Sequence, residues 1–161
     1  MYRLICSLFF ICTFAFSVQN PNDLDNDLVP NDKDLCQNTP EAVFVTKDGC
    51  TKKLERVVYF EHASAELDEQ YYVVLKETAR LINELVGYKV ELSGHTDSTA
   101  DFYTNMKLSK ERAVLVENIL LENSVDKTKI STSWYGETMP VSTNISAEGR
   151  SENRRVNIIL K

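Results

Sequence analysis

The chain has 161 residues, a formal net charge of −6, 43% hydrophobic residues and four cysteines. That length holds one compact domain and a tail and excludes two large domains, while the hydrophobic content suffices for a packed core. The acidic balance argues against nucleic acid and anionic membrane surfaces as main partners, because both need a basic field.

Arg3 precedes an apolar run from Leu4 to Phe16, and Ala15-Phe16-Ser17 places small residues where a signal peptidase reads, so residues 1–17 are expected to be a signal peptide. The run falls short of the roughly 20 apolar residues that an uncleaved anchor needs. Cys12 follows Phe9-Phe10-Ile11 and so lacks the small residues of a lipid-attachment box. The mature chain would carry 17 basic and 24 acidic residues, a net −7. Cys36 and Cys50 would remain as an even pair in an exported chain, for which one disulfide is the default. Closing that loop would stabilise the fold by about 3 kcal/mol in the chain-entropy model.

Residues 18–53 read as a polar lead-in, with Pro21, Pro30 and Pro40 among Asn and Asp. Asp23, Asp25 and Asp27 alternate and are followed by Asn31, Asp34 and Cys36. Alternating carboxylates on a tight loop surround a calcium ion with hard oxygens. The spacing resembles a thrombospondin type 3 repeat, with Leu28 where that repeat prefers glycine. A weak calcium site is expected; the competing reading is an acidic disordered linker.

From Leu54 the pattern changes. Leu54 to Phe60 is β-branched and aromatic, a first strand. Leu67, Tyr71, Val74, Leu75, Thr78, Ile82 and Leu85 recur at helical spacing, predicting an amphipathic helix that ends near Gly87. Tyr88 to Leu92 reads as a second strand, and a second helix is predicted from Lys110 to about Asn123 with Ser109 as its N-cap. Ile130 to Tyr135 is a third strand. Gly136, Pro140, Asn144 and Gly149 break a long connection before a closing strand from Arg155 to Leu160. The order β-α-β-α-β-β predicts an α/β two-layer sandwich, a mixed sheet with helices on one face.

Little here favours an enzyme. Ser93, His95 and Asp97 are close in sequence, but no strand–Gly-x-Ser-x-Gly–helix elbow surrounds the serine. Two histidines without free cysteines make no typical structural zinc site. Glu61, Glu66 and Asp97 supply carboxylates, yet nothing in their spacing favours glycoside hydrolysis. Binding is the stronger reading. Asp97 lies just past the second strand and Arg112 in the predicted first turn of the next helix, where the macrodipole disfavours a cation. A guanidinium holds a carboxylate with two parallel hydrogen bonds and a carboxylate takes an ammonium, so the two suit the head of an amino acid. The simpler alternative is that Asp97 and Arg112 pair with each other to fasten the loop.

Gly94-His95-Thr96-Asp97, Asn105, Leu108-Ser109, Arg112-Ala113, Gly136-Glu137, Pro140, Gly149-Arg150 and Asn153-Arg154-Arg155-Val156 together resemble the OmpA-like peptidoglycan-binding domain, from about Leu54 to the end. The resemblance implies binding of peptidoglycan stem peptides at diaminopimelate, in the periplasm or at the outer membrane of a Gram-negative bacterium. It implies that Asp97 holds the ligand's ammonium and Arg112 its carboxylate, that Thr96 and Asn105 line the pocket, and that Arg154 approaches it. Arg150 and Arg155 are expected to serve the fold or solvent, since alternate strand residues face opposite ways.

Two positions depart from the family pattern. Ala100 stands where glycine is usual, which would cost about 1 kcal/mol if the backbone there is left-handed. Ala63 stands where a polar residue is usual, leaving Ser64 or His62 as substitutes. The runner-up function is a protein-interaction module on the same fold with a calcium-dependent spacer, and an outer-membrane protein is a further expected partner. A flagellar-stator-like anchor would need a membrane helix ahead of the domain.

Overall fold

The computed structural model describes residues 21–39, 44–85 and 87–161. The signal-peptide reading of residues 1–17 lies outside them. Among the described residues no helix is long and apolar enough to cross a membrane.

Among the described residues four strands and three α-helices alternate: β1 (Leu54–Tyr59), α1 (Glu69–Glu84), β2 (Val90–Gly94), α2 (Phe102–Glu122), β3 (Ile130–Trp134), α3 (Ala147–Asn153) and β4 (Arg155–Leu160). The sheet order is β1-β4-β2-β3. The strand β4 is antiparallel to both β1 and β2, and β2 runs parallel to β3, so the sheet is mixed. Alternation sorts its faces. Val156, Ile158 and Leu160 of β4 pack with Leu75, Ala79 and Ile82 of α1 and with Val116, Ile119 and Leu120 of α2. Arg155, Asn157 and Ile159 point the other way, into a groove of about 640 Å³ on the open face.

The second helix differs from its sequence-based prediction. It begins at Phe102, not Lys110, and its N-cap is Asp101, whose side chain accepts from the backbone N–H groups of Tyr103 and Thr104; Ser109 is an interior residue. Asn105 and Ser109 are buried although polar, which hides the apolar period from the sequence. Arg112 therefore sits about three turns inside α2, beyond reach of the terminal dipole, so the misplaced-cation argument does not hold. The long connection also contains α3, capped by Ser146, whose Oγ accepts from Gly149 N–H.

Two close approaches fix the layers. A Cβ on Gly94 would lie 2.1 Å from the Ser109 carbonyl oxygen, so glycine lets α2 press against β2. The fully buried Asn153 organises the connection before α3: its Oδ1 accepts from the N–H groups of Val141 and Ser142, and its amide donates to Ser142 O and Asn144 Oδ1.

The lead-in is tied down. Cys36 and Cys50 form a disulfide. Val45 bridges Thr51. The hydroxyl of Tyr88, a core residue, donates to Lys52 O at 2.8 Å and accepts from Phe44 N–H at 3.2 Å.

Candidate functional site

A cavity of about 290 Å³ opens between the β1–α1 loop, the β2–α2 loop and α2, lined among others by His62, Thr96, Asp97, Asn105, Arg112 and Arg154. It brings together the five residues that the family resemblance singles out, but with other contacts than the sequence suggested.

Arg112 is fully buried. Its Nε donates to Ser64 O at 2.8 Å, Nη2 to Glu61 O at 2.9 Å and Nη1 to His95 O at 3.0 Å. The guanidinium also stacks 5.0 Å from the Phe60 ring centroid. It thus fastens the β1–α1 loop to the end of β2, and among the described residues no carboxylate forms an ion pair with it. Burial pushes its pKa down to about 10, with Asp97 opposing that shift and Arg154 adding to it.

Asp97 is also buried, and it pairs with Arg154 rather than with Arg112. Oδ1 accepts from Thr99 N–H at 3.1 Å and from Thr99 Oγ at 2.5 Å, and Oδ2 accepts from Arg154 Nη1 at 3.1 Å. Burial raises the carboxyl's pKa, but the hydrogen bonds from Thr99 and Arg154 outweigh it and hold the group below the usual range. The loop-fastening ion pair is real; its cation is Arg154.

Asn105 spends its amide on the protein, donating to Ala100 O at 3.0 Å and to Glu137 Oε2 at 2.5 Å. The buried Thr96 hydroxyl has no hydrogen-bond partner. Arg155 faces the open-sheet groove, donating to Asn157 Oδ1, so the two adjacent arginines diverge. Arg150 donates to the carbonyls of Asn144 and Ile145.

Ser93, His95 and Asp97 form no relay. His95 Nε2 lies 3.3 Å from Ser93 Oγ, Nδ1 has no partner, and Asp97 is occupied elsewhere. Burial, reinforced by Arg155, lowers the His95 pKa to about 4.

Among the described residues, left-handed non-glycine backbone occurs at Asn26, Leu28, Ala63 and Ser124. Ala100 is not one of them, so the glycine expected there is not required. Ala63, with φ 52°, adopts the conformation that asparagine or glycine takes at lower cost. Thr99 was missed in the sequence; a threonine two residues past an aspartate in a loop is the side-chain turn signal that finds it.

In the lead-in, one carboxylate oxygen of each of four aspartates binds a backbone N–H: Asp23 takes Leu28, Asp25 takes Thr39, Asp27 takes Val29 and Asp34 takes Cys36. The second oxygen of each is buried without a hydrogen-bond partner among the described residues. Carboxylate oxygens of Asp23, Asp25 and Asp27 lie within 4.8 Å of one another. A Cβ on Gly49 would come 2.0 Å from Asp34 Oδ1 and 3.0 Å from Asp27 Oδ2. Asn31 does not join them: its Oδ1 accepts from Leu24 N–H and its amide donates to Pro21 O. Leu28, at φ 73°, holds the left-handed turn where a glycine was expected.

The family model described as the OmpA family matches residues 59–154. Outer membrane porin F of Pseudomonas aeruginosa is 36% identical over 141 residues, which cover 84% of this chain and 40% of the porin. That share exceeds what residues 54–161 can supply, so the similarity reaches ahead of the sheet. Peptidoglycan-binding protein ArfA of Mycobacterium bovis is 31% identical over 103 residues, covering 64% of this chain and 32% of ArfA. The chain thus spans less than half the length of these two curated relatives. The C-terminal domain of Helicobacter pylori MotB matches with a TM-score of 0.62 at 30% identity, over 66% of this chain and 84% of that one. The mixed four-stranded sheet with its helices is the fold they share.

Proposed function

We propose a function from one premise: the chain belongs to the OmpA family. On that premise, residues 54–161 bind peptidoglycan without chemistry, at the diaminopimelate of a stem peptide, and tie an outer-envelope component to the cell wall. The observation that carries this reading is a buried guanidinium, that of Arg112, whose hydrogen-bond partners are all carbonyls. Three of its five N–H groups are used, leaving two for the two oxygens of a ligand carboxylate. Arg112, Arg154 and Lys107 against Asp97 and Glu111 leave the cavity lining one positive charge in excess, which favours a ligand carboxylate. Asp97 Oδ2 accepts one hydrogen bond and retains capacity for an ammonium. A cavity of about 290 Å³ suits an amino-acid head better than a sugar chain. ArfA's name states peptidoglycan binding for that relative. The Cys36–Cys50 disulfide supports a periplasmic location.

Sedimentation of the mature chain with insoluble peptidoglycan tests this. Wild type is expected to pellet, whereas Asp97→Asn and Arg112→Lys, each checked for folding by circular dichroism, stay in solution. Equal sedimentation of folded variants and wild type would overturn the site.

We propose also that Asp23, Asp25, Asp27 and Asp34 bind calcium. Four buried carboxylate oxygens without partners repel one another, and a hard divalent cation at 2.3–2.6 Å relieves this. Gly49 leaves room for the Asp34 carboxylate. Calorimetry should detect calcium binding to wild type and little to Asp25→Asn; no heat from wild type would remove the site.

A further inference from the structure

The pocket wall carries an imidazole, that of His62, and it touches the group that holds Asp97. His62 Nε2 lies 3.1 Å from Thr99 Oγ, and Thr99 Oγ lies 2.5 Å from Asp97 Oδ1. The proton count fixes the direction of this chain. An ionised carboxylate only accepts, so the Thr99 proton points at Asp97. Thr99 then accepts from His62, which must carry its hydrogen on Nε2. In the neutral ring Nδ1 keeps a lone pair, and the imidazole is in contact with solvent at the rim.

We propose that His62, acting through Thr99, is a positioning and charge-reading residue of the pocket, so that its hold on a ligand ammonium weakens as His62 gains a proton. This rests on the reading of the pocket as a site for a zwitterionic head. A protonated His62 adds a cation to the wall that carries Asp97 and draws the Thr99–Asp97 pair toward itself. Both effects oppose a second cation, the ammonium, at the same carboxylate.

The charged groups that line the cavity with His62 are Asp97 across Thr99, Lys107, Glu111 and Arg112 from α2, and Arg154 just before β4; Glu61 is its neighbour in the chain. Carboxylates titrate below, and lysine and arginine above, the window from about pH 5 to 8 in which imidazole changes charge. The remaining histidine, His95, is held at about 4 by burial and by Arg155, on the far side of the sheet. Among the described residues His62 is the one imidazole that lines this cavity.

The test is calorimetric titration of the mature chain with meso-diaminopimelate between about pH 5.5 and 7.5. Wild-type affinity is expected to fall about threefold to tenfold toward the acid end. His62→Gln keeps a donor for Thr99 but cannot titrate, and should flatten the profile. His62→Lys fixes the charge and should bind weakly throughout. Equal pH slopes in wild type and His62→Gln would overturn the role of His62 while leaving the pocket intact. No binding of diaminopimelate by wild type at any pH would overturn the pocket reading and this inference with it.

Discussion

Arg154 joins Asp97 to the end of β1: its Nη1 donates to Asp97 Oδ2 at 3.1 Å and its Nε to Phe60 O at 3.0 Å. The pair ties the loop after β2 to the strand that opens the domain. Its removal should be visible in the carboxyl's own titration. In Arg154→Gln the pKa of Asp97 is expected to rise toward the ordinary carboxylate range, read by carbon-detected NMR. Because the folded pKa is depressed, this group contributes stability above the unfolded value and loses it as pH falls through the folded one. Urea unfolding of wild type should therefore weaken below about pH 4, and less so in Arg154→Gln.

Arg112 leaves three carbonyls exposed to nothing if it is truncated. Arg112→Ala is expected to cost about 4 kcal/mol in urea unfolding, with Arg112→Lys recovering part of it. Loss of peptidoglycan binding in Arg112→Ala alone would therefore say little about contact with ligand; Asp97→Asn is the cleaner probe.

Ala63 pays for its left-handed backbone at φ 52°. Ala63→Gly should stabilise the protein by about 1 kcal/mol, with a higher urea midpoint at unchanged slope. A Cβ at Gly94 acts oppositely, since it would meet Ser109 O at 2.1 Å. Gly94→Ala should lose about 3 kcal/mol.

Tyr88 connects the lead-in to the core through a single oxygen. Tyr88→Phe retains the buried ring and removes that link. It should cost about 1 kcal/mol and speed hydrogen exchange at Phe44, whose N–H loses its acceptor.

The strands were largely legible because their residues alternate. Arg155–Leu160 reads and folds over the same span, with Val156, Ile158 and Leu160 in the core. The β2 strand shifts by two residues because Tyr88 serves the lead-in while Ser93 and Gly94 pair with β3 and β4. The first turns of α2 were hidden by Asn105 and Ser109, polar side chains that face the protein interior. The short α3 has no apolar face to reveal it. At the site, the family motif picked out Asp97, Arg112 and Arg154 but not their partners. Arg112 bonds to carbonyls, which every residue carries, so no residue type announces them. Its position three turns into α2, and not at the helix start, followed from where Asp101 caps the chain.

The three carbonyls held by one guanidinium have a kinetic meaning as well. Glu61, Ser64 and His95 belong to two segments that would otherwise drift apart at the pocket mouth, and Arg112 keeps them in register before any ligand arrives. On the proposed reading, an incoming zwitterion would meet walls already assembled, so little ordering entropy would be lost on capture. Association with such a preassembled pocket would be governed by how often the partners collide in the right orientation, and the lifetime of the complex by how quickly the ligand's own charges let go.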